Sequence, residues 1–75
     1  MVKLYTFTIK ALGRVSLDEE HTIRVDEVLR LVKIQRKNIF DVIIAFKNQE
    51  KLKIPGELAD TEKIYSDLVK LMGEL

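Results

Sequence analysis

The sequence predicts an α+β domain: an antiparallel β-meander of about four to five strands, covered by one C-terminal amphipathic helix. Three stretches carry that prediction. Residues 2–12 alternate polar and apolar side chains. Residues 40–54, FDVIIAFKNQEKLKI, set two apolar runs on either side of the polar tetrapeptide Lys47-Asn48-Gln49-Glu50, which is the pattern of a β-hairpin. After Pro55-Gly56 the spacing of the apolar residues changes to that of a helix.

In the first strand, VKLYTFTIKAL, the side chains of Tyr5, Phe7, Ile9 and Ala11 share one face, and Thr6, Thr8 and Lys10 share the other. Tyr5 and Phe7 belong to the core beneath the terminal helix. Leu4 and Leu12 fall on the opposite face and are the candidate interface residues. Gly13 supplies a bend, and residues 14–17 continue the strand beyond it. Asp18-Glu19-Glu20 reads as a solvated acidic turn. Ser16 and Glu19 have the spacing of a helix capping box, but His21-Thr22-Ile23-Arg24-Val25 returns at once to alternation. Ile23 and Val25 point inward there, Thr22 and Arg24 outward, and Asp26-Glu27 makes a turn or bulge.

Residues 26–46 admit two readings. Leu29, Val32, Ile39, Ile43 and Phe46 sit at heptad-like spacing, so one long helix from Asp26 to Lys51 fits, giving an N-terminal β-hairpin followed by two or more helices. Against it stand eight β-branched residues, Val25, Val28, Val32, Ile34, Ile39, Val42, Ile43 and Ile44, which lose side-chain freedom in a helix and suit a pleated sheet. The expectation is therefore a strand over 28–34, a basic turn at Gln35-Arg36-Lys37-Asn38, and a strand over 39–46 with apolar residues on both faces. In the terminal helix, Asp60 or Thr61 caps the first turn, Ile64, Leu68, Leu71, Met72 and Leu75 form one stripe, and Gly73 marks the stop.

Seventy-five residues make a single domain spanning 1–75. A chain this short buries only about 60% of the surface its unfolded form exposes. With no cysteine there is neither a disulfide nor a thiolate metal site to staple that thin core. A shared interface is the remaining way to add to it, so a homodimer or higher oligomer, or a docked subunit, is expected. The longest apolar run is the five residues 42–46, against the roughly 20 a membrane span needs. No transmembrane segment is expected, and a cytoplasmic location follows.

The net charge of +1 conceals a division along the chain. Residues 33–53 carry Lys33, Arg36, Lys37, Lys47, Lys51 and Lys53 against Asp41 and Glu50, whereas residues 54–75 carry two lysines against five acids. The six cations of the central segment are the candidate phosphate-contacting residues, for nucleic acid or for anionic lipid headgroups. The alternative is that they solvate an exposed sheet face and protect its edge. Few aromatic residues accompany them, so no stacking platform for single strands is evident.

Catalytic chemistry finds little material. His21 is the sole histidine and reads as an edge or surface residue. Ser16 and Ser66 have no neighbouring base, and the three glycines form no phosphate-cradling loop. No catalytic set, metal site, cofactor or small-molecule substrate is assigned, and the chain is expected not to be an enzyme.

The stretches TIRVDEVLRLVKI and FDVIIAFKNQEKLKIPGELADTEKIYSDLVKLM, over roughly residues 22–72, together resemble bacterial pleckstrin-homology-like domains. The shared order is a strand ending in an Asp-Glu turn, two paired strands, an Ile-Pro exit and a terminal amphipathic helix. The resemblance implies a scaffold that binds proteins or lipid headgroups without catalysis. Residues 10–17, KALGRVSL, also resemble the Gly-Arg-Val strand of swapped-hairpin transcription regulators, which continue with a proline where Asp18 stands. The leading expectation is a non-catalytic module for protein–protein assembly, with nucleic-acid binding and anionic-lipid contact as the alternatives.

Overall fold

A computed structural model describes residues 3–11 and 17–75. Two strands come first, β1 (Leu4–Ile9) and β2 (Glu19–Arg24), paired antiparallel with Tyr5 opposite Ile23 and Phe7 opposite His21. A single 3-10 turn, Val25–Glu27, leads into β3 (Val28–Arg36), β4 (Ile39–Phe46) and β5 (Lys51–Ile54). The chain closes with α1 (Thr61–Gly73). This is the expected meander followed by one helix, and the long helix through residues 26–51 is replaced by strands.

The strands form two sheets, β1-β2 and β3-β4-β5. The break falls at Val25–Glu27, where the 3-10 turn separates β2 from β3 and buries Val25. Boundaries shift for local reasons. Glu19 and Glu20 open β2 instead of forming a turn, because they pair with Ile9 and Thr8. Asp18 ties the hairpin from outside by accepting the Ala11 amide at 2.6 Å. β3 runs through Arg36, which shortens the expected four-residue turn to Lys37-Asn38 with Lys37 at a φ of 35°. The Gly13 bend and the strand continuation over 14–17 fall mostly outside the described residues, and Leu17 is exposed.

The core is built where the inner faces of both sheets meet the helix. Phe7 and Ile9 come from β1, and Val25 from the 3-10 turn. Val28, Val42, Ile44 and Ile54 come from the larger sheet, and Ile64 and Leu68 from α1. Burial of each such side chain stabilises by about 1.5–3 kcal/mol before the entropy of ordering it is subtracted. The helix starts at Asp60, whose carboxylate accepts the Lys63 amide at 3.2 Å. Thr61, the other capping candidate, is buried instead and its hydroxyl donates to the Phe40 carbonyl at 2.8 Å. The stripe ends early: Leu71 and Met72 are half-buried, and Leu75 lies beyond the helix with 59% of its surface exposed. No described helix is long and apolar enough to cross a membrane.

Candidate functional site

Which side chains share a face of the three-stranded sheet follows from its register, because residues paired across strands project the same way. One face carries Leu31, Val42, Ile44, Leu52 and Ile54 and belongs to the core. The other carries four rows: Arg30, Ala45 and Lys51; Val32, Ile43 and Lys53; Ile34 beside Asp41; and Arg36 beside Ile39. Since α1 packs on the core face, this second face is the outer one. Its centre is aliphatic, with Ile34 40% exposed and Val32, Ile39 and Ile43 half-buried. Leu29, extruded by a bulge between Val28 and Arg30, adds a side chain 62% exposed at one end.

At the other end of the face lies a buried acid. Asp41 is nearly inaccessible, and its Oδ1 accepts the Gly56 amide and the Arg36 guanidinium, each at 2.8 Å. The Gly56 amide, and then Arg36, hold its carboxyl below the usual carboxylate range. Arg36 also meets Glu57 at 2.5 Å, and these two acids, Glu57 foremost, raise its already high pKa further. Arg36 is thus an internal counter-charge that fastens the 55–57 turn to the hairpin.

The structure therefore divides the six predicted phosphate-contacting residues. Lys51 and Lys53 stand on the outer face, as expected from their spacing. Arg36 shares that face but is spent on Asp41 and Glu57. Lys33 projects from the inner face, with its ammonium 4.7 Å from the Phe40 ring centroid and 5.0 Å from that of Tyr65. Lys37 occupies the β3–β4 turn. Lys47 occupies the β4–β5 turn at the opposite end, where its amide donates to the Glu27 carbonyl.

Arg30 is the cation that sequence reasoning missed. It lies on the outer face level with Ala45 and Lys51. The signal was available by counting: six residues back from Arg36 on one strand and six forward from Ile39 on the other bring Arg30 to Ala45. Because Ala45 is small, Arg30 and Lys51 flank a shallow depression of about 430 Å³ that also borders Lys47. Their Cα atoms are about 10 Å apart, two inter-strand spacings.

Leu4 is 62% exposed on the outer side of β1, opposite Arg24, so it is accessible as the interface reading requires. Leu12 lies outside the described residues. His21 is half-buried, stacked on Phe7 at 5.5 Å between ring centroids, with Nε2 2.9 Å from Glu19 Oε1. Among the described residues no three acids or histidines converge as a metal site. Comparison with known protein families, characterised proteins and solved structures finds no significant match to this chain.

Proposed function

We propose that the domain is a non-catalytic assembly module that associates with another copy of itself through the outer face of β3-β4-β5. The observation that carries this reading is the aliphatic stripe of Val32, Ile34, Ile39 and Ile43, extended by Leu29, on the side of the sheet away from the helix. An apolar centre with charge at its margin is how protein interfaces are built, and Arg30, Lys51 and Lys53 supply such a margin. The short chain supports it too, since a shared interface adds apolar burial that 75 residues supply only sparingly alone. The resemblance to pleckstrin-homology-like domains points in the same direction, toward binding rather than chemistry.

Sedimentation equilibrium over a wide concentration range tests the reading. The native chain is expected to form a dimer or higher oligomer, and Ile34→Glu to be monomeric while keeping its circular dichroism. A native chain that stays monomeric at its highest soluble concentration refutes assembly through this face. A second reading, binding to nucleic acid, rests on Arg30, Lys51 and Lys53 sharing one face. It predicts DNA affinity that falls with salt at a log–log slope of about −2 to −3, as three phosphate contacts require. Lys51→Glu with Lys53→Glu should abolish that binding, and an absence of binding even at low salt removes this reading.

A further inference from the structure

The free edge of β1 runs beside the start of α1, and between them lies a groove of about 490 Å³. β1 is paired on one side only. Two hydrogen bonds show which of its amides face the groove. The Lys3 carbonyl accepts from the Val25 amide at 2.8 Å, toward β2, so the odd-numbered residues bond across the hairpin. The Lys10 amide donates to the Leu58 carbonyl at 2.7 Å, away from β2, so the even-numbered residues point outward. By the alternation of an antiparallel ladder, Thr6 and Thr8 turn their N–H and C=O groups into the groove. None of these four groups has a backbone partner among the described residues.

The groove is closed at both ends. At one end stands the Lys10–Leu58 hydrogen bond, which is already the first rung of an added strand. At the other the Tyr5 hydroxyl donates to Asp67 Oδ2 on the helix at 2.8 Å. Between these clasps lie about 17 Å of strand edge, five residues of extended chain. Tyr5, Leu58 and Ile64 supply apolar lining. Of the four charged residues on the groove, Glu57 is paired with Arg36, which it shares with Asp41, and Asp60 accepts the helix amide of Lys63. Lys10 and Lys63 make no ion pair among the described residues, so their ammonium groups are left open to a partner's carboxylates.

We propose that this groove binds an extended, acidic segment of a partner protein, added as a third strand to the β1-β2 sheet. The main chain of the segment pairs with Thr6 and Thr8, its carboxylates meet Lys10 and Lys63, and its alternate aliphatic side chains pack on Tyr5, Leu58 and Ile64. The groove is separate from the outer face of the larger sheet, and the proposal stands whether or not that face mediates assembly.

The probe is a short fluorescein-labelled peptide of alternating valine and glutamate, titrated with the intact protein and followed by anisotropy and by amide NMR. Saturable binding is expected, with the Thr6 and Thr8 amides shifted and protected from exchange. Lys10→Glu with Lys63→Glu should weaken binding by about tenfold or more, and a valine–lysine peptide should not bind. Methylating the peptide nitrogens that face β1 should also cost about tenfold, since it removes main-chain donors while leaving the protein untouched. No saturable binding, affinity indifferent to N-methylation, or amide shifts that map elsewhere would each overturn the proposal.

Discussion

Gly56 and Gly73 offer one chemical change with two opposite expected signs. Adding a methyl group to a glycine removes freedom from the unfolded chain and stabilises by about 0.4–1 kcal/mol wherever the native conformation accepts it. At Gly73, in the last turn of α1, a Cβ would meet nothing within 4 Å. At Gly56 it would sit 2.6 Å from the Phe40 carbonyl oxygen and 3.1 Å from its carbon. That contact is with β4 backbone, and the same oxygen is held from the other side by the Thr61 hydroxyl at 2.8 Å. Relief therefore means moving the 55–57 turn, which stretches the Gly56 amide away from Asp41. Overpacking of this kind costs about 1–3 kcal/mol, so Gly56→Ala should lose about 1–2 kcal/mol net and Gly73→Ala should gain about 0.5. With a slope near 1 kcal/mol per molar urea for so small a protein, the midpoints move about 1–2 M down and about 0.5 M up. Urea titration followed by circular dichroism reads both. A Gly56→Ala midpoint equal to or above that of the native chain would refute the packing argument.

Other perturbations probe the core and the buried acid. Leu68 is fully buried between helix and sheet, so Leu68→Ala should cost about 2–5 kcal/mol, a large share of the roughly 4–11 kcal/mol a chain of this size commands. Val69→Ala, its half-exposed neighbour, should change the urea midpoint little. Asp41, whose folded-state pKa is depressed, contributes stability that is fully present above the ordinary carboxylate value and is lost as pH falls through its lower folded value. Asp41→Asn should therefore lower the urea midpoint at neutral pH and flatten its decline in acid. Some slope should remain from Asp26 and Glu74, which Arg24 and Lys3 depress in the same way. A decline identical to that of the native chain would show that Asp41 is not coupled to folding.

Much of the fold was legible because it rests on local rules. Alternation placed Tyr5, Phe7, Ile23 and Val25 inward, and the spacing of Ile64 and Leu68 set the buried stripe of the helix. The division into two sheets was not legible, since no rule of alternation distinguishes a turn that keeps a sheet continuous from the 3-10 turn at Val25–Glu27 that breaks it. The site was less legible than the fold for a related reason. Position along the chain grouped six cations, but what each one touches depends on partners far away in sequence. Glu57 and Asp41 occupy the Arg36 guanidinium, and Phe40 and Tyr65 receive the Lys33 ammonium, which the strand register already turns to the inner side. Arg30 was passed over because it precedes the basic segment, although the pairing of β3 with β4 returns it to Lys51.

The strand edges of β1 and β3 are unlike, and their difference bears on what each one admits. β3 is the longer, nine residues with one side unpaired, and it carries Arg30, Lys33 and Arg36 with no acid. A second copy paired there would set like charges near one another, and the bulge at Leu29 bends the ladder it would have to match. Those features guard an edge against indiscriminate pairing, so the proposed self-association would run through the apolar outer face and not through this edge. β1 has no such guard in its own side chains, since Leu4, Thr6 and Thr8 are uncharged. Its protection is geometric. The segment 57–60 and the first turn of α1 stand alongside it across the groove. An edge flanked in this way still offers the Thr6 and Thr8 amides to an extended segment. Selectivity would then come from Lys10 and Lys63 at its margin, and affinity from the main chain.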